Sequence, residues 1–221
     1  YGVNANIGVI LRLSKLRISA NAKTATELNM EDLFYTDLSA NYKDILGQQY
    51  AASPVSYFNY RFRIPPSYGA GLAYIFGKKG AVSVEYKQRA INSAQFKPYT
   101  AVNASNFELH YDHSATNKEV ALLFGTQRTL KLGAEMNVNN VSFRLGGAYT
   151  TNGIDFEPAQ HNYSPITNYS AGLGYKVGHW RLDAGAALAQ YTENYVAYEV
   201  GYVEPTNFEI KHNKLQLVFS A

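Results

Sequence analysis

Residues 68–87 read YGAGLAYIFGKKGAVSVEYK, and the parity of their side chains decides the fold. Tyr68, Ala70, Leu72, Tyr74 and Phe76 take alternate positions in the first half; Val82, Val84 and Tyr86 do so in the second. Between the halves stands Gly77-Lys78-Lys79-Gly80, a short polar turn with a glycine at each end. The remaining positions carry glycines in the first arm, then Ser83, Glu85 and Lys87. A period of two broken by a glycine turn predicts a β-hairpin with one apolar and one polar face.

The same pattern recurs along the chain. Val3 to Leu13 alternates with polar residues, turns at Ser14-Lys15, and returns through Leu16, Ile18, Ala20 and Ala22. A long strand is predicted over 57–76, returning after 77–80 through Ala81 to Arg89. Val120, Leu122 and Phe124, then Leu130 to Val138, lead to Asn139-Asn140, and 141–149 climbs back. Tyr169 to Val177 turns at Gly178-His179 into Trp180 to Leu188, and a last strand covers roughly 208–221. About nine antiparallel strands follow, in one domain spanning residues 1–221. Tight turns alternate strictly with long polar connections over 25–56, 90–118, 152–167 and 192–206. Short turns at one end and long loops at the other mark a transmembrane, up-and-down β-barrel rather than a soluble sandwich.

Composition is compatible with that reading. The mean hydropathy of −0.27 leaves no apolar window of the roughly 18–20 residues a membrane helix needs, a test that barrel strands do not register in. No cysteine is present, which excludes disulfides, thiol catalysis and cysteine metal sites. A net charge of +3 without long basic runs gives no footprint for nucleic acid. No nucleophile–base or paired-carboxylate spacing suggests catalysis, so the chain is not expected to be an enzyme, and no cofactor is implied.

The polar face is strongly basic. Arg12, Arg17, Lys23, Arg61, Arg63, Lys87, Arg89, Lys131, Arg144, Lys176, Arg181 and Lys214 share it with Glu85, Glu135 and Asp183. In a barrel this face lines the lumen, and Arg61, Arg63, Arg89 and Arg144 become candidate contacts for an anionic ligand. The alternative is that they pair with acidic residues of a plug. Aromatic residues gather at both strand ends, with Tyr74, Phe76 and Trp180 near tight turns and Tyr57, Tyr60, Tyr149, Tyr169 and Tyr191 toward the long loops. Two such belts are expected where a barrel meets headgroups.

Phe34, Leu38 and Tyr42, in segment 25–56, are candidate residues for capturing a greasy ligand; the segment reads as a protruding hairpin. His110 to His113 (HYDH) fits either a metal or haem contact or a solvated loop. Pro65-Pro66 is expected where its strand leaves the membrane.

Three blocks carry a resemblance: FNYRFRIPPSYGAGLAYIFGKKGAVSVEYK (58–87), LKLGAEMNVNNVSFRLGGAYT (130–150) and YSAGLGYKVGHWRLDAGAA (169–187). With the opening YGVNANIGVILRLSKLRISANAKTAT (1–26), the chain resembles the FadL/TodX family of bacterial outer-membrane transport proteins, in a Bacteroidetes-like variant. The resemblance implies a Gram-negative outer-membrane location among lipids and lipopolysaccharide. It also implies a barrel of about 14 strands around an N-terminal plug, of which this chain would be the C-terminal portion. The plug and early strands are absent from the sequence, and Ala221 stands where the family ends on an aromatic residue. The expected function is passive uptake of hydrophobic compounds such as long-chain fatty acids. The alternatives are a non-transporting scaffold in an outer-membrane complex and a haemin-binding receptor.

Overall fold

The computed structural model describes residues 1–41, 48–98, 112–155, 164–196 and 207–220. In chain order the strands are β1 (Gly2–Val3), β2 (Asn6–Leu13), β3 (Leu16–Lys23), β4 (Thr26–Phe34), β5 (Asp37–Asn41), β6 (Gln48–Ala52), β7 (Ser56–Ile64), β8 (Ser67–Ile75), β9 (Gly80–Ala90) and β10 (Gln95–Pro98), then β11 (Thr126–Val138), β12 (Val141–Thr150), β13 (Ile166–Val177), β14 (Trp180–Val196) and β15 (Asn207–Ser220). A 3-10 turn, Ile91–Ser93, precedes β10, and the helix α1 (Ser114–Leu123) precedes β11.

A nine-stranded sheet dominates, ordered β15-β14-β13-β12-β11-β9-β8-β3-β2, with every pairing antiparallel. The hairpin read from residues 68–87 is its β8–β9 pair, in register from Ser67↔Arg89 to Ile75↔Ala81. Its turn closes by Phe76 N–H donating to Gly80 O at 2.8 Å. The two-residue turns begin with Ser14 at φ 52°, Asn139 at φ 52° and Gly178 at φ 59°, left-handed values that glycine and asparagine adopt at least cost. The tight turns lie along one rim, stitched together by the backbone. Lys15 O accepts from Ile75, Lys79 O from Asn137 and Asn140 O from Lys176, at 2.7–2.9 Å.

At the other end the strands break together. Strands β1, β4, β7 and β10 form a second sheet in that order, so each continues one of β2, β3, β8 and β9. Pro65 and Pro66 make one break, since neither can donate to a ladder. At another, Thr24 N–H donates to Ala5 O and Ala5 N–H to Thr24 Oγ1, both at 2.9 Å. A side-chain oxygen thus replaces a ladder carbonyl. The prolines therefore sit at a joint shared by neighbouring strands. Beyond it β4 and β7 pair from Thr26↔Ile64 to Phe34↔Ser56, and β5–β6 extends them. The described residues of segment 25–56 are thus paired as the expected hairpin requires; residues 42–47 lie outside the described residues.

Two expectations fail. The single strand expected over 57–76 is divided at Pro65-Pro66 into β7 and β8, which belong to different sheets. Val120 and Leu122, read as the start of a strand, lie in α1. Lys, Glu, Ala and Leu in SATNKEVALL favour a helix, and the apparent alternation at Val120, Leu122 and Phe124 is too short to oppose it. Asp112 accepts from the Ser114 N–H at 2.9 Å and from its Oγ at 2.7 Å. These bonds hold the Asp112 carboxyl below the usual carboxylate range. The helix also covers an open sheet edge. Asn117 accepts from Phe96 N–H at 2.8 Å and donates to Phe96 O at 2.9 Å, doing with one amide what a neighbouring strand would do for β10.

The described residues form no apolar core. Among the described residues Ala94 is the one buried hydrophobic residue, whereas Leu132, Leu145, Leu173, Leu217 and Phe219 are each more than half exposed. The surface measures 16806 Å², against roughly 10,000 Å² for a globular monomer of this mass. No helix among the described residues is long and apolar enough to cross a membrane.

Replacing Asn117 by Leu should leave the Phe96 N–H and C=O without partners, at a local cost of roughly 1–3 kcal/mol. Hydrogen exchange at Phe96 should accelerate while β11–β15 stay protected. Unchanged exchange at Phe96 would show that Asn117 does not protect this edge.

Candidate functional site

The register sorts the side chains of the nine-stranded sheet into two faces. On one, Leu11, Ile18, Leu72, Val84 and Leu132 follow one another across five strands. Leu145, Ala171, Ala186 and Leu217 continue that face over β12–β15. Arg12, Arg17, Lys23, Lys87, Arg89, Lys131, Lys176, Arg181 and Lys214 take the opposite parity, with Glu85, Glu135 and Asp183.

Glycines on the polar face make room for polar neighbours. A Cβ on Gly71 would stand 2.7 Å from Ser19 Oγ, on Gly133 2.9 Å from Ser83 Oγ, and on Gly146 2.5 Å from Ser170 Oγ. Gly174 lies under an ion pair: Arg144 Nη1 reaches Asp183 Oδ1 at 2.6 Å from two strands away. Arg144 Nε also meets Glu135 Oε2 at 3.1 Å, and Arg181 Nε meets Asp183 Oδ2 at 3.1 Å. Lys131 pairs with Glu85 at 3.3 Å. The acidic residues read onto this face are therefore already held by cations of the same wall.

That separates the candidate arginines. Arg144 is committed to two carboxylates. Arg63 Nε lies 3.4 Å from Glu27, which also holds Lys97 at 3.1 Å, and Arg61 Nε donates to Pro98 O at 3.3 Å. Both sit on β7, beyond the joint. Arg89 stands in register with Ser67 and Gln127, and no carboxylate among the described residues pairs with it. Its Nε is buried and has no hydrogen-bond partner in the structure. Phe34 and Leu38, about two-thirds exposed, lie far out on the protruding hairpin, at the end of β4 and in β5. Tyr42 lies outside the described residues.

Two aromatic expectations are corrected. Tyr191 is on the polar face, stacked on His212 at 4.4 Å between ring centres, and His212 Nε2 meets Glu193 at 3.3 Å. Tyr60 belongs to a ring cluster on the second sheet with Phe58, Phe96 and His113. The tyrosines of the apolar face toward the long connections include Tyr68 and Tyr86, which the parity of the quoted hairpin already contains. Toward the tight turns, Tyr74 and Phe76 pack edge to face at 5.0 Å. His113 is 7 % exposed and stacks on Phe96 at 5.8 Å, which makes it a packing residue; His110 lies outside the described residues. No group of ligand-type side chains able to hold a metal ion occurs among the described residues.

No protein-family model and no curated protein matches the chain in sequence. Its structure is similar to that of the CymD monoaromatic hydrocarbon channel, with a TM-score of 0.53 at 18% identity. The similarity covers 97% of this chain and 50% of the channel, so the chain spans about half the length of the protein it matches. At that identity the likeness concerns the fold: the antiparallel β-wall of a barrel channel.

The glycine–serine fit has a direct consequence. Gly146→Ala should place a methyl against Ser170 Oγ and cost roughly 1–3 kcal/mol, as overpacking does. Adding Ser170→Ala removes that oxygen, leaving the Cβ atoms 3.9 Å apart, and should restore thermal stability. Failure of the double variant to recover would mean that Gly146 is needed for its backbone and not for this space.

Proposed function

We propose that the chain is part of an outer-membrane channel of the FadL/TodX type, taking up hydrophobic compounds passively. The observation that carries the reading is the two-faced wall with no core. Apolar side chains that no other described residue buries occupy the face opposite a row of cations and glycines. Lipid can bury the first face, and a water-filled lumen can solvate the second. The likeness in fold to a hydrocarbon channel supports the same reading.

Within that class we favour amphiphiles with a carboxylate end, long-chain fatty acids among them. Among the polar-face cations that no carboxylate of the described residues holds, Arg12, Arg17 and Lys176 lie toward the tight turns and Lys214 is on β15, whereas Lys23, Lys87 and Arg89 lie together next to the joint. They make that end of the passage positive, which attracts a carboxylate. Phe34 and Leu38 offer apolar surface further out, where a hydrocarbon tail would arrive first. Arg144 serves the wall itself, because its two carboxylate partners leave it no charge to spare for a ligand.

Two outcomes are expected. Leu132→Arg puts a charge at mid-height on the lipid-facing side, at a cost of about 2–4 kcal/mol, whereas Ser83→Arg extends over Gly133 into the lumen. Heat-modifiable gel migration, a readout of barrel folding, should be lost or weakened for Leu132→Arg and kept for Ser83→Arg. The opposite result would reverse the facing. Arg89→Glu, in cells carrying the full-length protein, should slow uptake of a fatty acid several-fold while sparing an uncharged hydrocarbon. Equal slowing of both would indicate blockage, and no change in either would remove Arg89 from the path.

A further inference from the structure

We infer that the lipid-facing side of the wall carries a binding site for the saccharide headgroup of a glycolipid, just above the apolar band. The inference rests on the reading of this face as membrane-embedded. Its starting point is an abrupt change of chemistry within one parity. Leu132, Gly147, Tyr169, Leu188 and Leu215 form one hydrogen-bonded row across β11–β15. One step along the strands the row reads Leu130, Tyr149, Thr167, Gln190 and Asn213. Thr192 and Lys211 come next, in register with each other. A face that is apolar down to the tight turns thus becomes polar beyond its tyrosines, where the headgroups of a bilayer begin.

The polar stretch is concave. A cavity of about 530 Å³ opens there, lined on this parity by Tyr149, Thr167, Gln190, Thr192, Lys211 and Asn213, and also by Ser164, Pro165 and the opposite-parity neighbours Tyr191 and His212. Its rim is fixed by Ser164, whose N–H donates to Thr192 O at 2.9 Å and whose Oγ accepts from Thr192 N–H at 2.6 Å. Gln190 Nε2 donates to Asn213 Oδ1 at 2.8 Å. That bond aligns the two amides and leaves the Gln190 carbonyl and the Asn213 amide nitrogen for a ligand. Tyr149, half exposed, adds a flat ring on which the C–H face of a pyranose can rest.

The donor set favours a sugar over a bare phosphate. Hydroxyls and amides predominate, and the one ammonium on this parity, Lys211, is shared with Glu209 at 3.5 Å in an exposed pair, worth little in water. Lys211 is left to steady a phosphate attached to the sugar, not to provide the affinity. A glycerophospholipid headgroup offers few hydroxyls for the amides to read.

The test uses the full-length protein in nanodiscs of phosphatidylcholine doped with either rough-type lipopolysaccharide or phosphatidylglycerol. Lipid retained after detergent exchange is counted by native mass spectrometry. Wild type should retain lipopolysaccharide, and Gln190→Leu with Asn213→Leu should reduce retention at least five-fold. Phosphatidylglycerol retention should be low and unaffected. Equal retention of lipopolysaccharide by wild type and double variant overturns the site, and so does a parallel loss of phosphatidylglycerol, which would mark a phosphate site instead. Heat-modifiable migration of both proteins is recorded in parallel. Its presence with no lipid discrimination refutes the saccharide site alone, whereas its absence in wild type refutes the membrane reading and this site with it.

Discussion

The backbone ladder carries this fold, because side-chain burial within the chain does not. A globular domain balances the conformational entropy of its ordered residues chiefly by burying apolar surface. Here the apolar side chains stand on an open face, and the buried residues with side chains, Thr26, Pro65, Ser67, Ala94 and His113, lie near the joint between the sheets or under the helix beside it. Hydrogen bonds along a nine-stranded antiparallel ladder hold the wall in shape. Burial of its apolar face must come from surroundings other than this chain. Lipid meets that requirement, and a barrel wall is the strand architecture that can accept it, since closure leaves no free edge in a medium without hydrogen-bonding partners.

The polar face follows a different packing rule from a protein core. Several of its glycines are occupied positions in disguise: serines lean over Gly71, Gly133 and Gly146, Asn21 over Gly69, and Asp183 over Gly174. Arg144 extends this principle, crossing Gly174 to reach Asp183 while holding Glu135 on its other side. Such a clamp spans several strands and needs no plug to satisfy it. The cations without such partners among the described residues lie at both ends of the wall, with Arg12, Arg17 and Lys176 by the tight turns and Lys23, Lys87 and Arg89 by the joint.

The joint shows how a long strand can change character without ending. Two prolines, a threonine hydroxyl standing in for a carbonyl, and a 3-10 turn interrupt neighbouring strands at one level. Above it, Asn117 closes the β10 edge where a further strand would otherwise be needed. Gly125 links this region to β11, its carbonyl accepting from Ile91 and Asn92 and its N–H donating to Gly153. A side chain at Gly125 would collide with the Asp155 carboxylate. Small residues are required here because three chain segments meet.

Local chemistry determined most of the wall. Period-two alternation fixed which residues share a face, and Gly77, Gly178 and Asn139 fixed the turns, because both properties depend only on backbone geometry and near neighbours. The pairing of β4 with β7 was legible only indirectly, from the length of the strand expected from Tyr57, because the spacing of apolar residues from Phe34 onward fits helix or strand alike. Tertiary structure decided what depends on residues distant in sequence. It set the choice between helix and strand at Val120 and Leu122, the pairing of Arg144 with an aspartate 39 positions away, and the transfer of Tyr191 from the expected belt to the polar face. Parity within a strand says that two residues are alike; only register across strands says which partners they meet, and therefore which cations remain for a ligand.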